Sequence, residues 1–359
     1  MLRKISFSLM GVLCLAGTYA QDSTKEAPKA TTISGSVDVY YRYNLSGPKT
    51  APFNSGTSFT KSQNSFEIGM ASVRLDHSFG KASATVDLGF GRRAQEFSYN
   101  DNLATETAGG DGFIALSNVK QAYVSYAVSD KFKLTMGKWG THVGYELLDA
   151  PLNRNYSMSY MFTSGPFFHT GLKADISLTK KTALMVGIAN PTDYSTTTSS
   201  SKFAIAQLST ATSNDKLKAY LNYQGGKFTP GATLNQFDLV VIGTVTDKFS
   251  VGYNGTVQTR KPSGGSSASW WGSAVYLNVD PTSKFGLTLR GEYFDDKKKV
   301  LGYNSSIFAA TLSAQIKVDK LTIIPEFRFD NSSEEIFSKN DGTGTKGTGT
   351  LLLAAVYTF

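Results

Sequence analysis

Residues 304–330 read NSSIFAATLSAQIKVDKLTIIPEFRFD. Two alternating runs flank Asp319-Lys320. Before the turn, Phe308, Ala310, Leu312, Ala314, Ile316 and Val318 share one face, and Thr311, Ser313, Gln315 and Lys317 share the other. After it, Leu321, Ile323, Pro325, Phe327 and Phe329 alternate with Thr322, Glu326, Arg328 and Asp330, with Ile324 as the exception. A period of two places each set on one face of a strand. A soluble half-buried sheet also has one apolar and one polar face. Two features point instead to a membrane wall. The polar face carries paired charges deep in the strands, Glu326 with Arg328 here and Arg290 with Glu292 upstream. The strands are also long, about 10 to 14 residues, which suits tilted bilayer-spanning strands.

The Asp-Lys turn recurs. Short connections carry a Lys next to the following strand at Gly80-Lys81, Asp130-Lys131-Phe132, Lys180-Lys181, Asp215-Lys216-Leu217, Asp247-Lys248-Phe249, Ser283-Lys284-Phe285 and Asp319-Lys320-Leu321. Longer connections rich in Gly, Ser, Thr and Asn lie between them. Tight turns at one rim and long loops at the other describe a transmembrane barrel. These turns predict sixteen strands: 31–45, 64–79, 81–95, 117–129, 131–139, 167–179, 181–190, 201–210, 216–226, 236–246, 248–260, 269–281, 284–296, 304–318, 320–330 and 348–359. Strand 201–210 has the weakest pattern, and without it the parity fails. The expected fold is a closed antiparallel up-and-down β-barrel over residues 31–359, with both ends at the periplasmic rim.

The ends of the chain support this compartment. Arg3 and Lys4 precede an apolar run, Ile5 to Gly17, and Thr18-Tyr19-Ala20 offers small residues at a cleavage site before Gln21. This is the pattern of a secretory signal, predicted over 1–20, with a polar leader over 21–30. Leu13 before Cys14 argues against lipid attachment. The last strand places Leu351, Leu353, Ala355, Tyr357 and Phe359 on one face. A terminal aromatic on such a strand is similar to the signal read by the outer-membrane assembly machinery, so Tyr357 and Phe359 are its candidate residues. The expected location is the outer membrane after Sec-type export, with lipid and lipopolysaccharide around the wall.

Composition narrows the function. Cys14 is the one cysteine and lies in the expected signal, so disulfides and thiolate metal sites are not expected. Lys and Arg number 36 against 28 Asp and Glu, a modest excess without the clustered stripe of a nucleic-acid binder. No later segment has 18 consecutive apolar residues. Sixteen strands enclose a channel too wide for wall side chains to fill. No plug domain is evident, so a loop must set the aperture.

The longest loop, 140–166, is too apolar to be solvated: Tyr145, Leu147, Leu148, Tyr156, Met158, Tyr160, Met161 and Phe162 need burial. Folding into the lumen would supply it. The loop carries Glu146, Asp149 and Arg154. The wall charges expected to face it are Arg74, Asp76, Arg92, Lys120, Lys173 and Asp175. Acid on the loop opposite base on the wall would set a transverse field across the constriction.

Within and after this loop, Asn153-Arg154-Asn155-Tyr156-Ser157-Met158-Ser159-Tyr160-Met161-Phe162 and Gly165-Pro166-Phe167-Phe168-His169-Thr170-Gly171 resemble the OmpL-like β-barrel porins of Bacteroidota outer membranes. The local likeness covers about 20 residues, and the barrel organisation around it covers the mature chain. The resemblance implies a general or weakly selective porin without a cofactor. By analogy with other sixteen-strand porins it implies a homotrimer.

Catalysis has little support. Of His77, His142 and His169, only His142 lies in a loop that could enter the lumen. His169 is near Ser164 in sequence, but no G-x-S-x-G elbow and no metal-ligand spacing occur. Asp341-Gly342-Thr343-Gly344 and Glu334-Glu335 read as external loop. Trp270-Trp271 places one indole on each face. The leading expectation is passive diffusion of small hydrophilic solutes. The alternatives are a substrate-specific channel and a structural or adhesive barrel with a closed lumen.

Overall fold

The computed structural model describes residues 30–101, 116–229 and 231–359. The expected signal segment and nearly all of the leader lie outside the described residues. Ala30 already belongs to the first strand.

Sixteen strands close an antiparallel barrel. They are β1 (Ala30–Asn44), β2 (Ser65–Phe79), β3 (Ala82–Phe90), β4 (Val119–Ser129), β5 (Phe132–Gly140), β6 (Phe168–Ser177), β7 (Thr182–Ala189), β8 (Phe203–Ala211), β9 (Leu217–Thr229), β10 (Ala232–Thr246), β11 (Phe249–Lys261), β12 (Ala268–Thr282), β13 (Phe285–Asp295), β14 (Ser306–Val318), β15 (Leu321–Ser332) and β18 (Gly347–Thr358). Two short strands, β16 (Phe337–Ser338) and β17 (Gly344–Thr345), form a separate hairpin in the last external connection. The weakly patterned strand near 201–210 is β8, paired along its length with β7 and β9.

Each Lys-bearing turn joins neighbouring strands. Gly80, Asp215 and Asp319 sit there at φ of 58°, 57° and 53°. This left-handed region is open to Gly and tolerated by Asp, which is why those residue types precede the Lys. Closure comes from β1 pairing with β18, from Ser36 opposite Thr358 to Asn44 opposite Thr350. Gly35 N–H donates to Phe359 O at 3.1 Å, and Phe359 N–H donates back at 3.0 Å. The last backbone edge is thereby satisfied, as a lipid environment demands.

The two faces separate as the alternation requires. Phe308, Leu312 and Ile316 on β14 are exposed on the outer face, while Thr311 and Ser313 between them are buried. Ile324, the exception on β15, packs with Tyr40, Tyr156, Leu352, Ala354 and Val356.

Most strand ends lie within two residues of the sequence reading, and two places differ by more. The predicted strand 81–95 ends at Phe90, and residues 92–97 form helix α1 (Arg92–Phe97). Gly91 makes this break at φ 118°, where an added Cβ would lie 2.7 Å from Gly69 O. Arg92 therefore stands on a helix, not on the wall. The long external loop expected over 227–235 is also absent. β9 runs to 229 and β10 starts at 232, because pairing continues past Gly226, with Lys227 opposite Thr233 and Thr229 opposite Ala232.

Candidate functional site

The polar inner positions of the barrel would be wet if nothing covered them, yet Thr288, Arg290, Glu292, Thr311, Ser313, Gln236 and Gln258 are all nearly inaccessible. Segment 141–167 meets many of these polar faces. It contains a 3-10 turn, Ala150–Leu152, and a short helix α2 (Tyr160–Ser164), whose N-cap Ser159 accepts from Phe162 N–H. Its contacts reach β1, β4, β9, β10, β11, β13 and β15.

Carboxylates hold its backbone. Glu326 on β15 accepts N–H groups of Tyr156 at 2.8 Å and Ser157 at 3.1 Å. Glu292 on β13 accepts those of Tyr160 at 2.9 Å and Met161 at 2.8 Å. Asp193, in the β7–β8 connection, accepts those of Phe167 at 2.7 Å and Phe168 at 3.0 Å. Asp238 on β10 accepts Gly144 N–H at 3.0 Å. An irregular segment has few internal partners for its N–H groups, so these acceptors are what allow it to be buried. Hydrogen bonds to a charged acceptor contribute about 1.5–3 kcal/mol each.

Cations hold its carbonyls. Arg328 donates to Met158 O at 2.6 Å while its other edge clasps Asp330. Arg93 on α1 donates to Leu148 O at 3.0 Å and Tyr156 O at 3.1 Å. Aromatic burial adds to this. Tyr160 and Met161 pack with Trp270, Tyr276 and Phe294, and Met158 packs with Phe59, Phe97, Phe167 and Phe168. Each large side chain so buried contributes roughly 1.5–3 kcal/mol.

The sequence-predicted residues fall into three groups. Glu146, Asp149 and Arg154 each meet an opposite charge on the wall: Glu146 pairs with Arg290, Asp149 with Lys120 at 2.5 Å, and Arg154 with Asp280 at 2.8 Å. These are direct ion pairs rather than charges facing across a gap. Lys120 also pairs with Asp87 at 3.0 Å. Other predicted wall charges pair among themselves. Arg74 holds Asp76 at 2.7 Å, and Asp175 lies 3.6 Å from both Lys173 and Lys133. Arg92, on its helix, meets Glu67 at 2.9 Å.

Sequence reasoning did not single out Glu292, Glu326, Asp238, Asp193, Arg93, Arg290 or Arg328 as contacts of this loop. Inward charges at alternating positions of β13 and β15 were the available signal. Asp193 and Arg93 sit outside the strands and had none. His142 and His169 come together, with ring centroids 5.0 Å apart. His142 Nε2 bonds Tyr223 O and His169 Nε2 bonds Thr141, which are wall and loop contacts rather than a triad. His77 bonds Thr31 at 2.8 Å. Trp270 is buried and Trp271 is exposed.

A barrel of this size with a segment of this kind calls for comparison with known families. Residues 30–359 match the model of the family described as "Putative beta-barrel porin-2, OmpL-like". The chain belongs to this porin family. No curated protein matches it significantly in sequence. Solved structures share its fold. The outer membrane channel DcaP of Acinetobacter baumannii is 12% identical at a TM-score of 0.62, over 92% of this chain and 97% of that one. An anion-selective porin from Comamonas acidovorans is 10% identical at 0.61, over 92% and 100%. OmpT of Vibrio cholerae is 11% identical at 0.61, over 93% and 99%. This OmpL-like porin is thus a barrel of the outer membrane.

Proposed function

We propose that the porin passes small hydrophilic solutes down their gradient, and that segment 141–167 lies in the lumen and sets the aperture. The supporting observation is the set of hydrogen bonds from this one segment to polar faces on strands all around a closed barrel. Residues that touch Asp38 on β1, Asp238 on β10 and Glu326 on β15 have to cross the space those strands enclose. Narrow water-sized cavities line the segment, one against Arg42 and Arg328 and one against Gln236 and Asn254. A segment placed so would narrow the bore, and a shift of it would widen the path. An enzyme has no comparable support, since the buried histidines face only wall and loop groups.

Planar-bilayer conductance tests this reading. The full-length barrel should give small or intermittent steps. A variant lacking 145–160 should conduct continuously, at several times that level. Absence of any channel in both forms would refute the porin reading.

Assembly follows the same lines. One solved form of Vibrio cholerae OmpT is a trimer, and a homotrimer is the reading we adopt for this chain. Tyr357 and Phe359, at the end of the closing strand, are the residues we assign to the assembly machinery. Lipid and lipopolysaccharide would meet the apolar outer wall, and export would precede signal cleavage near Ala20.

A further inference from the structure

Charge is unevenly spread over the inner wall. Across β9, β10 and β11 the inward side chains form a ladder of five carboxamides around one carboxylate, Asp238, with Arg260 at its edge donating to Gln258 Oε1 at 2.7 Å. Gln224 and Gln258 each donate to Gln236 Oε1, at 2.8 and 2.9 Å. Asn222 and Asn254 each donate to Asp238, at 2.8 and 2.6 Å. Gln224 Oε1 is buried without a partner.

The grip on segment 141–167 is uneven in the same way. Toward β1, β4, β12, β13, β15 and helix α1 it is fastened by charge: three ion pairs, the N–H pairs on Glu292 and Glu326, the Arg93 and Arg328 bonds to carbonyls, and Tyr156 O–H to Asp38 at 2.6 Å. On the ladder side, among the described residues, Asp193 in the β7–β8 connection holds only the far end of the segment, at Phe167 and Phe168, and residues 142–146 make one charged contact there, Gly144 to Asp238. The others are neutral: Tyr145 N–H to Asn254 at 3.2 Å, His142 to Tyr223 O at 3.0 Å, and Gln207 to His142 O at 3.2 Å. Neutral bonds contribute about 0.5–1.5 kcal/mol, against 1.5–3 for charged ones. A water-sized cavity is lined by residues 143–146 together with Gln236, Asp238, Asn254 and Thr256.

We infer that the solute path opens between residues 142–146 and the carboxamide ladder of β9–β11, and that it favours uncharged hydrogen-bonding solutes over ions of equal size. The inference rests on the porin reading and names its route and solute class. Carboxamides offer donors and acceptors in equal number without net charge. They can replace the water on a sugar hydroxyl, but they do not repay the desolvation of an ion. The segment parts from the wall where its contacts are weakest, and its charged side stays fixed.

Two cysteine locks separate the possible routes. The expected signal holds the chain's one cysteine, so Y145C/N254C pins the ladder side and N155C/S313C pins the opposite side, where Asn155 donates to Ser313 at 2.7 Å. Both folded variants, checked by heat-modifiable mobility, are tested in bilayers before and after oxidation. Oxidising Y145C/N254C should cut conductance at least tenfold, reversibly with reductant, and oxidising N155C/S313C should change it less than twofold. The converse pattern, or equal loss in both, would overturn the route. Liposome swelling with galactose, galacturonate and galactosamine reads the solute class. Galactose should enter several-fold faster than either charged sugar, and Gln236→Glu should erase that preference against galactosamine. Equal or faster entry of either charged sugar into wild-type liposomes overturns the class. A protein with no conductance to potassium chloride and no swelling with any sugar fails as a porin, a separate outcome.

Discussion

Glu326 and Glu292 each accept two consecutive backbone N–H groups, one on each carboxylate oxygen. A carboxamide presents one oxygen and turns an NH2 group toward the second donor. Glu292→Gln and Glu326→Gln should each loosen segment 141–167 by about 1.5–3 kcal/mol. Trypsin cleavage at Arg154 in the folded barrel measures this and should speed up by about tenfold or more. An unchanged rate would mean that the clamps add nothing. Asp193 is a second residue-scale case. Burial pushes its carboxyl up to about 7, against the N–H groups of Phe168 and Phe167 and the Tyr99 hydroxyl. A carboxyl raised above its unfolded value binds more protons in the folded state, so stability falls as pH rises from about 4 to 7 and levels off above that. The full span is up to roughly 4 kcal/mol at about 1.4 kcal/mol per unit. Urea unfolding in detergent from pH 4 to 8 should show this slope in the wild type and lose it in Asp193→Asn.

At the scale of elements, the closing seam is the most exacting junction. Gly35 on β1 leaves room for the Phe359 ring, and an added Cβ would lie 2.4 Å from that ring and from Ser72 O. Gly35→Val should displace the ring and lower the yield of folded barrel, with a cost of about 1–3 kcal/mol for overpacking. Heat-modifiable mobility of the membrane fraction checks this, and a normal yield would show that the seam tolerates the clash. The seam was legible beforehand because alternation on 348–359 and the turn count both demanded a partner for the last edge. The end of β3 was not legible. Arg92 and its neighbours continue a plausible strand on paper, and the break at Gly91 comes from the approach of Gly69 on β2, a contact 22 positions away. The β9–β10 junction was not legible either: 227–235, with Pro230 and Gly231, reads as loop, whereas pairing between Thr233 and Lys227 and between Ala232 and Thr229 carries the hairpin almost to its tip.

For the whole molecule, the proposed place of segment 141–167 would turn a sixteen-strand wall, by itself an open hole, into a narrowed path, and the conductance of the full-length and shortened barrels tests this. The homotrimer reading belongs to this scale. Unheated gels and chemical cross-linking in membranes should show a species of three times the monomer mass, and a monomer under all conditions would reject it.

The sequence by itself determined the wall. Its period of two, its Lys-bearing turns and its last aromatic strand are local features, and a barrel is built from neighbouring hairpins. Sequence also showed that 140–166 had to be buried, because its aromatic side chains could not stay in water. The partners of that loop were decided only by the tertiary structure. Glu146 finds Arg290, 144 positions on, and Tyr156 finds Asp38, 118 positions back. No local pattern records which of many inward charges faces a given loop residue. That depends on the curvature of the closed sheet and on the path of an irregular segment across it.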